Sequence, residues 1–334
     1  FDDGYDGDGV KVAILDGEFD LNHSDLDANW ITGYDEEDNN NTPGHSGNHS
    51  DSHGTHVAGI IGAEKNGSGM MGIAYNASLM PIKIFRDNGN FVGDIEDGVD
   101  YAVDNGAIVL NNSWGSSAWT SAATCTVGGV AYTCYGHIPD DSSSAGFNLS
   151  GERIAWQNMA SNNAVAVFAA GNNGNNSETG KIDFYRSDKS TFLTDYSVSV
   201  VKNAGLISYS NRSTYEARYG VVDSSSVGDN WLNVVAVDSN NVIADFSNGC
   251  GDTKAYCIAA PGVGIYSTVH TSIDSSGYKE YPGTSMAAPH VSGAVAVMKE
   301  KWPNLTGAQI VDLILSSATD LGASGTDEVY GVGL

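Results

Sequence analysis

Short apolar runs alternate along this chain with stretches whose apolar residues recur every three or four positions. Residues 10–15, 78–85, 107–111, 164–170, 231–237 and 256–260 are apolar runs of strand length, with a weaker strand signal near 197–201. Residues 53–63, 95–105, 151–162, 285–301 and 307–317 predict helices. In the last of these, Ile310, Leu313 and Ile314 stand at helical spacing, and the 95–105 helix stops before Gly106, a residue suited to a C-cap. Between these elements lie a long polar loop from His23 to about Ser52, a Ser/Thr/Gly-rich excursion after residue 111, and a polar stretch from Asn172 to about Asn230. Strands alternating with helices predict an α/β fold, its sheet largely parallel and covered on both faces. Neither an internal repeat nor a linker stands out, so a single domain over residues 1–334 is expected.

Three stretches carry candidate chemistry. Gly283-Thr284-Ser285 stands just before the apolar run 291–298. Ser285 therefore falls at or near a helix start, where free N–H groups and the positive dipole end favour negative charge. Gly283 offers a side-chain-free approach, and Pro289 is expected in the helix's first turn. A serine there is either an N-cap or, with a base in reach, a nucleophile. Residues 10–15 lead into Asp16-Gly17. That places a carboxylate where a strand ends, the position at which open α/β sheets bind ligands; an aspartate starting a turn is the alternative. His53-Gly54-Thr55-His56-Val57-Ala58-Gly59 opens a helix. Two histidines three apart raise a metallohydrolase, but no glutamate or further histidine stands at the required spacing.

Taken together, Ala13-Ile14-Leu15-Asp16-Gly17, the His53-to-Gly59 stretch and Gly283-Thr284-Ser285-Met286-Ala287-Ala288-Pro289-His290 resemble the subtilisin-like serine proteases, or subtilases. Their order of Asp, His, Ser is the subtilisin order among the known triads. The resemblance runs from about residue 10 to 321 and leaves the segments near 30–50, 118–148 and 175–230 as family-variable loops. It implies a three-layer subtilisin-like fold with a mostly parallel central sheet. It also implies a triad in which Ser285 attacks a peptide carbonyl, His53 carries the proton and Asp16 holds the imidazole.

Ala169-Ala170-Gly171-Asn172-Asn173-Gly174 resembles the segment whose asparagine faces the oxyanion. This assigns Asn172 and the Ser285 backbone N–H as donors, with Asn173 in the role if the register slips by one. Asn112-Ser113-Trp114-Gly115 resembles the edge on which substrate adds as a strand. Ser113, Trp114 and Gly115 would then line the pocket for the residue before the cut, opposite Ala169, Ala170 and Gly171. Trp114 departs from the aliphatic residue of the degradative enzymes and is similar to the processing branch, which cuts after basic residues; read alone, it fits core packing equally well.

A structural calcium ion is implied by Leu21-Asn22-His23-Ser24-Asp25-Leu26 and the loop from Glu64 to Met70. Asp25 and Asn66 would offer side-chain oxygens, and Glu64, Ser68 and Met70 carbonyls, with Lys65 an unhelpful cation beside them. The acidic run 35–41 is either a second ion loop or a solvated surface. The resemblance further implies a monomeric bacterial enzyme, secreted or at the cell surface, whose signal and folding-assisting propeptide have been removed. Its substrates would be extended or unfolded proteins and peptides. The closing segment 318–334 resembles subtilases borne on bacterial autotransporters, for which a C-terminal extension is expected. Two alternatives stand beside this reading: a narrow processing protease maturing one partner, and a non-catalytic binding module on the same scaffold.

Composition narrows the setting. Lys+Arg number 15 against 41 Asp+Glu, a net charge of −26, which argues against nucleic acid and anionic membranes as partners. No 18-residue apolar run offers a membrane span. Gly is frequent at 41 and Pro scarce at 7, with a charged fraction of 17%, a pattern of lightly restrained loops expected of a marine, cold-adapted or salt-adapted source. Four cysteines, Cys125, Cys134, Cys250 and Cys257, imply two disulfides. Three pairings exist, and the local ones, Cys125–Cys134 and Cys250–Cys257, are simplest because each closes a single loop. The absence of a Cys-x-x-Cys motif argues against zinc and redox chemistry.

Overall fold

The computed structural model describes residues 4–17, 19–44, 52–87, 89–92, 95–114, 122–127, 130–135, 149–172, 184–186 and 229–334. In order, the elements are β1 Lys11–Asp16, β2 Tyr34–Asp35, α1 His53–Gly62, β3 Ser78–Lys83, α2 Glu96–Asp104, β4 Val109–Asn112, β5 Ala122–Val127, β6 Val130–Tyr135 and α3 Leu149–Ser161. They continue with β7 Val165–Ala169, β8 Phe184–Arg186, β9 Trp231–Val237, β10 Cys257–Pro261, β11 Ile265–Thr268, β12 Tyr278–Tyr281, α4 Thr284–Lys301 and α5 Gly307–Ser317. Among the described residues, seven strands form one sheet in the order β10-β9-β7-β4-β1-β3-β2. Every neighbouring pair in it is parallel. Two small antiparallel sheets, β11–β12 and β5–β6–β8, lie apart from it.

The sheet's strands read as apolar runs because both of their faces are covered. The two-residue period sorts their side chains. Val12, Ile14, Val109, Val165, Val167, Leu232 and Val234 share a core with α1, α4 and α5. Ala13, Leu15, Met80, Ile82, Leu110 and Phe168 share the other core with α2 and α3. The result is the predicted three-layer α/β arrangement. Helix α5 starts on a capping box between Thr306 and Gln309. Among the described residues no helix is long and apolar enough to cross a membrane.

Three readings change. The polar stretch 23–52 contains β2, which pairs with Ile82 and Lys83 at the sheet edge; two residues are too few to show a period. The β11–β12 hairpin lies between two predicted elements, and Tyr278-Lys279-Glu280-Tyr281 shows no apolar alternation. Pro289 lies inside α4 rather than in its first turn, with a consequence for the site. The strand signal near 197–201 lies outside the described residues.

Candidate active site

Asp16 is the last residue of β1 and is buried. Its Oδ1 accepts the Gly17 N–H at 2.8 Å, and both of its oxygens lie 2.9 Å from His53 Nδ1. An ionised carboxylate only accepts, so Nδ1 carries the hydrogen and Nε2 the lone pair. Close docking of α1 on β1 makes this pairing. The Gly54 N–H donates to the Gly17 carbonyl at 2.9 Å, and a Cβ on Gly54 would overlap that oxygen. His53 is the first residue of α1, preceded by Ser52 in a left-handed conformation, φ +58°.

The nucleophile candidate sits in the first turn of α4. Gly283 precedes the helix with φ +152°, a backbone setting that favours glycine. The Ser285 hydroxyl donates to the Ser113 carbonyl at 2.8 Å, and the Ser113 hydroxyl donates to the Ser285 carbonyl at 2.8 Å. Pro289 explains the second bond. Four residues beyond Ser285, it has no N–H to offer that carbonyl, and Ser113 supplies the missing donor. Ser113 is held in turn by Asn111, whose Nδ2 donates to Ser113 Oγ at 2.9 Å while its Oδ1 accepts from Ser292 Oγ at 2.7 Å. Asn111 and Ser292 are both fully buried. Sequence reasoning missed both, and Pro289 was the one signal that pointed to a displaced carbonyl.

Asn172 follows β7 by way of Ala170 and Gly171. Its Oδ1 accepts the Thr284 N–H at 2.9 Å and the Thr284 hydroxyl at 3.0 Å. A Cβ placed on Gly283 would lie 3.7 Å from Asn172 Nδ2 and 3.5 Å from the Ser285 nitrogen, so both nitrogens stand close to Gly283. The Ser285 N–H is among those that a helix start leaves without an intrahelical acceptor.

Strands β4 and β7 are paired with Asn112 opposite Phe168. Ser113 and the Ala169–Ala170–Gly171 segment therefore leave the sheet side by side. Trp114 packs in the α2–α3 core, its ring centroid 5.8 Å from that of Phe91; its side chain belongs to the core rather than to the substrate edge. Gly115 and Asn173 lie outside the described residues, as do the side chains of Cys125 and Cys134. Cys250 and Cys257 form a disulfide with Cα atoms 5.8 Å apart.

The calcium residues are brought together but turn hydrogens toward one another. Buried Asp25 accepts from Asn66 Nδ2 at 3.1 Å, Met70 N–H at 2.9 Å and the Tyr278 hydroxyl at 2.8 Å. Burial and Asp25 push the Tyr278 hydroxyl up to about 12, which keeps it a donor. The Asn66 oxygen is taken by the Ser68 N–H, and the Glu64 carboxylate accepts from the Ala28 N–H. Calcium takes about six to eight oxygens; here the Asp25 and Asn66 side chains are engaged with hydrogen-bond donors of the chain itself. Among the described residues there is no group of three His, Cys, Asp or Glu able to hold a metal.

The acidic run closes on an internal cation instead of a bound one. Buried Lys83 Nζ lies 3.2 Å from Asp35, 3.0 Å from Glu37 and 2.9 Å from Asp87. Burial alone would lower its pKa, but the bonds to Asp87, Glu37 and Asp35 outweigh burial and raise it. His56, the other histidine of α1, is buried and belongs to no metal-holding group among the described residues. It stacks on Tyr281 with ring centroids 4.5 Å apart, and its Nε2 bonds the Lys279 carbonyl at 3.0 Å.

The family model for Peptidase_S8, the subtilase family, matches residues 7–333. Over 336 residues the chain is 30% identical to subtilisin DY of Bacillus licheniformis, covering 99% of this chain and 90% of that protein. It is also 30% identical over 359 residues to an extracellular serine protease of Serratia marcescens, covering 99% of this chain but 31% of that one. The crystal structure of fervidolysin from Fervidobacterium pennivorans, a keratinolytic enzyme related to subtilisin, matches with a TM-score of 0.68 at 30% identity, covering 99% of this chain and 42% of that one. The chain thus spans less than half the length of two of these relatives and nearly all of the third. With a family model matched almost end to end on this fold, the chain belongs to the subtilase family.

Proposed function

We propose that this chain is a serine endopeptidase that hydrolyses peptide bonds in extended or unfolded proteins. The observation that carries the reading is the Asp16–His53 pair at the carboxyl end of β1, beside the β4 end whose Ser113 clasps Ser285. On this reading the Ser285 hydroxyl leaves the Ser113 carbonyl, gives its proton to His53 Nε2 and attacks the substrate carbonyl carbon. The carbonyl π pair moves onto oxygen, where the Ser285 N–H and Asn172 Nδ2 stabilise it. When the C–N bond breaks, the leaving amine takes the proton from His53. Water then repeats the sequence and frees the acid. Asp16 stays ionised and stabilises the imidazolium.

Substrate backbone would lie as an added strand between the segments that follow β4 and β7. Ser113, Gly115, Ala169, Ala170 and Gly171 are small and leave room for a large apolar side chain. The processing-type alternative loses its cue, because core packing accounts for Trp114. Export from the cell is supported by the disulfide and by the name of the Serratia relative. We read residues 1–334 as one catalytic domain, of which 7–333 match the family model.

Hydrolysis of casein by the wild type and by Ser285→Ala, with and without a serine-directed inhibitor, tests this function. The wild type is expected to cut and to be blocked by the inhibitor. The variant is expected to lose activity by roughly 10⁶-fold, the scale that removal of the nucleophile has in subtilisin itself. Equal rates for the two proteins would remove the proposal.

A further inference from the structure

Beyond the residues placed in the site, buried Asn248 is the side chain bound most directly to the backbone beneath it. It lies beyond β9, just past the turn at residues 245–246, and is fully buried. Its Nδ2 donates to the Ala170 carbonyl at 2.9 Å, and its backbone N–H donates to the Gly171 carbonyl at 2.9 Å. These carbonyls belong to the two peptide units immediately before Asn172. Asn248 is itself fixed from below. The Ser247 hydroxyl donates to the Asn248 carbonyl at 2.9 Å and accepts the Ala236 N–H of β9 at 3.0 Å. Two residues further on, Cys250 is crosslinked to Cys257 of β10. A line of bonds therefore runs from β9 and β10 through Asn248 to the loop that carries Asn172, and Thr284 meets that loop from the α4 side through Asn172 and the Gly171 N–H.

We propose that Asn248 is a positioning residue for the oxyanion, acting through Asn172. The inference rests on the reading of Asn172 as an oxyanion donor. Asparagine suits the place because it offers a second donor beside its own backbone N–H, so two adjacent carbonyls are held at once. Aspartate has the same shape but would set a lone pair against the Ala170 carbonyl, replacing the hydrogen bond with a repulsion. The loop would then relax by a fraction of an ångström, enough to turn the Asn172 amide away from the developing charge.

The test is a double-mutant cycle of Asn248→Asp with Asn172→Ala, read as kcat and KM on a chromogenic peptide anilide. Asn172→Ala alone is expected to lower kcat by roughly 10²–10³, the magnitude that loss of the corresponding donor has in subtilisin itself. Asn248→Asp alone should lower kcat about tenfold with KM within twofold, the loss of one buried hydrogen bond at the transition state. Added to Asn172→Ala, it should cost no more than about twofold further. An equal loss in both backgrounds, or no loss in the first, overturns the role of Asn248 and leaves that of Asn172 standing. An Asn172→Ala enzyme with unchanged kcat removes the underlying reading, and the inference with it. If Asn248→Asp does not fold, Asn248→Ser, which keeps a shorter donor, enters the same cycle with the same expectations.

Discussion

At Gly54 the lack of a side chain lets α1 begin against the end of β1, and the Asp16–His53 pair follows from that contact. His56, one turn along the same helix, is buried, and among the described residues no carboxylate pairs with it. Burial lowers its pKa to about 4, against the Lys279 carbonyl bond that favours the charged form. An unfolded chain protonates this residue near 6.5, so the unfolded state takes up the proton first as pH falls. Its contribution to stability is complete above about pH 6.5 and fades by about 1.4 kcal/mol per unit, on the order of 3 kcal/mol by pH 4. Urea midpoints measured from pH 7 to pH 4 should fall accordingly, and His56→Gln should flatten that slope. An unchanged slope in the variant would assign the acid sensitivity elsewhere. The residues of the site were partly legible for a physical reason. Asp16, His53 and Ser285 stand at element boundaries that sequence pattern marks. Asn111, Ser292 and Asn248 are ordinary polar letters, with 181 positions between Asn111 and its partner Ser292 and 78 between Asn248 and Ala170.

The elements that build the core were legible because each central strand is covered on both sides and so reads as an apolar run. β2 escaped notice because only two residues pair. The β11–β12 hairpin escaped because its β12 side chains are exposed or half-buried. The acidic segment after β2 shows why composition alone misleads. Its carboxylates converge on Lys83, a cation 48 positions from Asp35 in the chain. Removing that ammonium would leave buried Asp35 without a countercharge. Lys83→Met is therefore expected to cost about 3–5 kcal/mol, read from chemical denaturation at neutral pH. A loss under about 1 kcal/mol would mean that the cluster behaves as a solvent-screened surface pair. The same logic governs α4. Pro289 opens the Ser285 carbonyl, and the end of β4 closes it through Ser113.

Across the whole molecule, the sheet is what turns distant sequence into a site. Asp16 ends β1, Ser113 follows β4 and Asn172 follows β7, three strands adjacent and parallel in the sheet, while His53 and Ser285 open the helices packed on one face. The far edge is closed by the chain itself: the Val332 N–H donates to the Cys257 carbonyl and the Ala259 N–H to Gly333, beside the disulfide. Convergence of this kind follows from the parallel order and not from any local signal: Asp16 with His53, and Ser113 with Ser285, stand at the ends of two neighbouring strands. The central claim is that Ser285 becomes a nucleophile only in the company of His53. Reaction with a fluorophosphonate, followed by peptide mapping, measures this directly. A single adduct on Ser285 is expected, and it should disappear in His53→Ala and in the unfolded protein. Labelling of Ser285 at an undiminished rate without His53, or no labelling of the folded wild type, would contradict the claim.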